Sequence, residues 1–116
     1  MSTEQFPRSE ILEMDQQVQY SENAIVSRQV IKDVGGNVSL FAFDKEQELS
    51  EHTAPFDALI QVLEGKVNIY IAGLEYPLEK GGSIIMPANI PHAVKAVERF
   101  KMLLTMVRKP EKTGPR

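Results

Sequence analysis

Between Ala24 and Val107 the chain is cut into short apolar, β-branched runs by turn residues, and this punctuation constrains the fold more than any other feature. Ile25 to Ile31 ends at the cluster Asp33-Val34-Gly35-Gly36-Asn37, and Val38 to Phe43 reads as its partner strand. Ala58 to Leu63 stops at Glu64-Gly65, and Lys66 to Ile71 stops at Ala72-Gly73. A short run from Glu75 to Leu78 enters Glu79-Lys80-Gly81-Gly82, and Ser83 to Met86 halts at Pro87. Ala93 to Val97 and Phe100 to Val107 close the series. Short strands at this spacing, with no helical period of useful length, predict an all-β sandwich or barrel. Closure into a barrel also removes the exposed sheet edges that a small β protein must otherwise protect.

Two stretches do not fit the series. Ile11, Leu12, Met14 and Val18 suit either a helical turn or an edge strand, so Ile11 to Tyr20 is left open between them. Asp44, Lys45, Glu46, Glu48 and Glu51 form a charged connection that reads as a solvated loop. The polar ends, residues 1–10 and 109–116, are broken by Pro7, Pro110, Gly114 and Pro115 and are expected to be flexible tails around one barrel domain spanning residues 11–108.

A chain of 116 residues is the size of a single domain and buries enough surface to need no covalent staples. It has no cysteine, which excludes disulfides and thiolate metal sites. A net charge of -3, with Lys and Arg scattered, argues against a nucleic-acid partner. No apolar run is long enough to cross a membrane, and the acidic start lacks the layout of a signal peptide, so a cytoplasmic location is expected.

One segment carries a more specific signal. In Gly81-Gly82-Ser83-Ile84-Ile85-Met86-Pro87-Ala88-Asn89-Ile90-Pro91-His92, the spacing of Gly81, Pro87 and His92 resembles the second conserved motif of the cupin superfamily. Asn89 replaces that motif's inner glycine, a mild change because Asn tolerates left-handed backbone angles, and Ala96 stands in place of its final asparagine. Gly65, within Val62-Leu63-Glu64-Gly65, fits the glycine of the first motif. Counting back from it sets Ala58 at the motif's glutamate, Ala54 at its second histidine and His52 at its first. The resemblance spans about residues 38 to 107 and implies a single jelly-roll barrel of six to eight antiparallel strands. It is similar to a subgroup of small bacterial cupins that carries the same alanines in His52-Thr53-Ala54-Pro55-Phe56-Asp57-Ala58.

The resemblance implies a metal site with only His52 and His92 left of its four ligands. Divalent transition metals want three or four donors, so two imidazoles make a weak site for Zn, Fe, Mn or Ni. Asp57 and Gln61 are out of step with Ala58 in a strand and are expected to face away. The histidines can instead bond to each other, to water or to backbone, or act directly as acid or base near a pKa of roughly 6.5. Small side chains at Ala54 and Ala58 leave space in the barrel unless Met86, Met102, Met106, Phe41 or Phe43 fill it. The expected pocket is therefore bounded by Ala54, Ala58, Met86 and Met106.

Two functions follow from these residues. One is a small-molecule binding protein whose ligand sits between His52 and His92. The other is a metal-dependent cupin enzyme of dioxygenase or isomerase type, with waters or substrate completing the metal shell. The resemblance also implies a homodimer in which the N-terminal arm pairs with a second copy. No nucleophile motif, phosphate-binding loop or nucleotide fingerprint is present.

Overall fold

The computed structural model describes residues 6–108. The expected tail over 109–116 and the outer part of the expected tail over 1–10 lie outside that range. Among the described residues nine strands follow one 3-10 turn, Met14–Gln16, which is how the stretch left open in the sequence is folded. They are β1 (Ile25–Asp33), β2 (Gly36–Phe43), β3 (Glu48–His52), β4 (Phe56–Glu64), β5 (Lys66–Ile71), β6 (Leu74–Glu79), β7 (Ser83–Met86), β8 (His92–Ala96) and β9 (Phe100–Arg108). Every pairing is antiparallel, in a five-stranded sheet of order β1-β2-β9-β4-β7 and a four-stranded sheet of order β3-β8-β5-β6. The fold is the all-β architecture that the turn spacing predicts and the jelly-roll barrel that the resemblance implies.

Strand alternation explains how the two sheets close on each other. Ala58, Ile60 and Val62 of β4 and Val67, Ile69 and Ile71 of β5 are buried at every second position, while Gln61 is exposed. Phe43 and Phe100, register partners in the β2–β9 ladder, pack with ring centroids 4.6 Å apart and planes tilted by 58°. The turn between β4 and β5 requires glycine. Gly65 has φ 84°, and a β-carbon there would collide with the Arg99 carbonyl oxygen and with Phe100.

Two expectations need correction. The charged connection after Phe43 is only partly a loop, because residues 48–52 form β3, paired with β8 at a sheet edge, which brings the described strands to nine rather than the expected six to eight. Its acidic residues are exposed and Leu49 alone turns inward, so a strand wet on one face looks like a loop in sequence. The expected tail over residues 1–10 is not loose throughout, since Phe6 is only 4% exposed. Among the described residues the N-terminal arm contributes no strand. Phe6 and Val18 pack with Val30, Leu40 and Ala42 on the outer face of the five-stranded sheet, forming a second apolar cluster outside the barrel. Arg28 lies over the Phe6 ring at 4.2 Å, the Tyr20 hydroxyl donates to Glu64 at 2.5 Å, and the Lys101 ammonium donates to the Asp15 carbonyl at 2.6 Å.

Candidate functional site

The two histidines are brought together by the β3–β8 ladder. His52 ends β3, His92 begins β8, and they are register partners beyond an irregularity between Leu49 and His52. Their Nε2 atoms are 3.2 Å apart and the rings meet edge to face, at 69° with centroids 4.4 Å apart. His52 Nδ1 lies 2.8 Å from the Ser50 carbonyl and His92 Nδ1 lies 3.1 Å from the Ile90 carbonyl. His92 is buried and His52 is exposed, so the pair runs from the interior to the barrel mouth. Burial holds the His92 imidazole below its ordinary value, the Ile90 carbonyl works against that shift, and the nearby His52 adds to it.

The segment before His92 is tied down on both sides. Asn89 occupies the left-handed region at φ 64°, which suits an asparagine in the place of a glycine. Its backbone N–H donates to the Ala54 carbonyl at 2.7 Å, and the Ala88 N–H donates to Asp57 Oδ1 at 2.8 Å. The Asp57 carboxylate therefore serves this turn and does not line the cavity, in keeping with strand alternation. On the other side, the Pro91 carbonyl accepts from Ala72 N–H at 2.8 Å.

Behind the histidines lies a cavity of about 250 Å³ between the two sheets. Ala54, Ala58, Met86 and Met106 all line it together with His52 and His92. Met102 is there too, whereas Phe43 is packed into the core and Phe41 lies against it, so neither fills the space. Leu49, Phe56, Val94 and Leu104 complete the wall and escaped the sequence reading. The signal for Val94 and Leu104 was present, because each is two residues along its strand from a residue already singled out. Leu49 lay hidden in the acidic run, and Phe56 marks a strand start that the turn pattern alone does not reveal. A shallow groove near Lys66, Asn68, Pro77 and Glu79 is larger, but it lies open on the surface and is remote from the histidines.

Two nitrogens 3.2 Å apart could both reach one ion. Ala54 and Ala58, where the resemblance implies the other two ligands, line the same cavity with methyl groups, and no third His, Cys, Asp or Glu joins the pair among the described residues. The donors present therefore do not fit a complete transition-metal site, which needs three or four. No charged carboxylate faces the cavity to offset an ion.

Comparison with known proteins agrees with the fold. Residues 39–108 match the family model described as a cupin domain. No curated protein matches the chain. Among solved structures, a conserved Streptococcus pyogenes protein of unknown function is 34% identical, with a TM-score of 0.86 over 91% of this chain and 93% of that one. A cupin superfamily protein from Desulfitobacterium hafniense is 25% identical, with a TM-score of 0.84 over 90% and 95% of the two chains. A cupin 2 conserved barrel domain protein from Leptotrichia buccalis is 40% identical over 81% of this chain, which spans 46% of that longer one at a TM-score of 0.79. With more than half its length matched by the family model and its two-sheet barrel shared with these structures, the chain belongs to the cupin family.

Proposed function

We propose that this protein is a small-molecule binding module whose ligand occupies the barrel cavity with its polar end at His52 and His92. The observation that carries this reading is about 250 Å³ of largely apolar space with two imidazole nitrogens converging at one edge. A cavity of about 150 Å³ already admits a benzene-sized guest. The apolar wall supplies affinity, at about 25 cal/mol for each Å² of apolar surface removed from water. The two histidines supply orientation, which is the usual division of labour in a ligand pocket. Ala54 and Ala58 support binding over metal chemistry, because the same two methyl groups that deny an ion its ligands leave room for a guest. Cupin membership does not choose between the two, since one fold hosts many activities.

The test uses p-cresol as a compact probe. It is expected to raise the melting temperature of the parent chain, and to leave unchanged that of an Ala58→Leu variant whose side chain fills the cavity. An equal shift in both proteins would put the probe elsewhere and sink the reading.

A further inference from the structure

We infer that the ligand of this cavity presents a neutral hydrogen-bond donor, a hydroxyl or an amino group, to the paired histidines; this rests on the binding reading above. The other side of each ring fixes the tautomer. A backbone carbonyl can only accept, so the nitrogens facing Ser50 O at 2.8 Å and Ile90 O at 3.1 Å must carry the hydrogen. A neutral imidazole has one N–H, and in both rings it is spent at Nδ1. Both Nε2 atoms then carry lone pairs, and they face each other at 3.2 Å.

Two lone pairs at that separation do not bond to each other. With both rings neutral, one would have to surrender its carbonyl contact to supply a hydrogen, and both contacts are at hydrogen-bonding distance. A donor placed beside the pair, one O–H for one acceptor or the two hydrogens of an amino group for both, satisfies lone pairs without disturbing either ring. Because His52 is exposed at the mouth, water can play this part in the free protein. A guest that displaces water gains affinity only if it brings an equivalent donor. Ethers, carboxylates and other groups that only accept would meet lone pairs head on.

The walls limit the rest of the molecule. Phe56, Met86, Met102, Leu104 and Met106 are apolar, and no acidic side chain lines the cavity. An ammonium group would be stripped of water with no counter-charge, so the donor must be neutral. The class that results is a compact apolar body ending in one hydroxyl or amino group.

Two measurements on the full parent chain test this, both with a chelator present and well above the imidazole titration range. The first compares p-cresol with p-xylene, which have the same shape and differ only in the donor. The expected result is at least about tenfold tighter binding of p-cresol, the scale of one hydrogen bond, although p-xylene is the more hydrophobic of the two. Equal affinities, abolished alike by Ala58→Leu, would overturn the donor inference and leave the binding reading standing. Binding of neither probe would overturn both. The second is a long-range proton–nitrogen NMR spectrum of the histidine rings, expected to show Nδ1–H and a bare Nε2 in both. An Nε2–H tautomer in either ring would overturn the inference directly.

Discussion

Ala58 lies directly across from Met106 in the β4–β9 ladder, and on its other side it is paired with Met86 of β7. All three side chains border the cavity, so a longer side chain at this position enters the space facing the histidines. The double substitution Ala54→His with Ala58→Glu is therefore expected to assemble three imidazoles and a carboxylate around one point. Zinc affinity measured by calorimetry should rise by orders of magnitude, since the shell goes from two donors to four and gains a negative charge. The same variant should lose p-cresol binding, because its new side chains occupy the cavity. A folded double variant with the parent's zinc affinity would show that the two positions do not converge with His52 and His92.

The histidine pair was legible because turn residues act as rulers once the resemblance supplies the motif spacing. Gly65, Gly81 and Pro87 match the cupin motifs that the sequence resembles, and counting along those motifs leads to His52, His92 and the two alanines. What the ruler could not measure was an edge. β3 is wet on one face, so its acids hide a strand, and the irregularity between Leu49 and His52 breaks the alternation that would have exposed it. The arm was illegible for a different reason. Phe6 and Val18 are apolar residues isolated in polar surroundings, and only the distant strands β1 and β2 supply the surface on which they are buried. Long-range packing of that kind leaves no local period to read.

Gly65 and Gly81 separate two costs that are usually confounded. Both have positive φ, at 84° and 91°. A β-carbon at Gly81 meets nothing within 4 Å, whereas at Gly65 it would strike the Arg99 backbone and Phe100. Gly81→Ala is expected to cost only the left-handed strain, about 1 kcal/mol. Gly65→Ala adds a steric conflict with backbone that cannot move freely, and about 3 kcal/mol is expected. Guanidinium denaturation of the two variants checks the ranking, and equal losses would contradict it.

Removing the Phe6 ring tests whether the arm is part of the folded domain. Phe6 is as buried as the residues of the barrel core, so Phe6→Ala is expected to cost about 3 kcal/mol in chemical denaturation. A loss under about 0.5 kcal/mol, the range of ordinary surface changes, would mean that the arm detaches without consequence. Tyr20→Phe should cost less, about 1 kcal/mol, by removing the hydroxyl's bond to Glu64.

Stability should fall with acid in two separate windows, because two groups are shifted down from quite different starting points. His92 titrates below its ordinary value of 6.5, chiefly because it is buried. As pH falls past that value, the unfolded chain takes up a proton at this position before the folded one does. Stability then rises with pH across this window and is flat above it. Asp44 behaves likewise lower down, where its ordinary 3.8 is lowered to about 2, first by the Arg99 side chain and then by the backbone N–H groups of Asn23 and Lys45. Its contribution is complete above 3.8 and is lost as pH falls toward about 2. His92→Phe should therefore flatten the upper window and leave the lower one, while Asp44→Asn should do the reverse. Denaturant midpoints of the parent and both variants, collected from neutral pH into strong acid, distinguish them. An upper window that persists in His92→Phe would assign that loss to some other group, and with it would go the argument that this imidazole is neutral in the folded barrel.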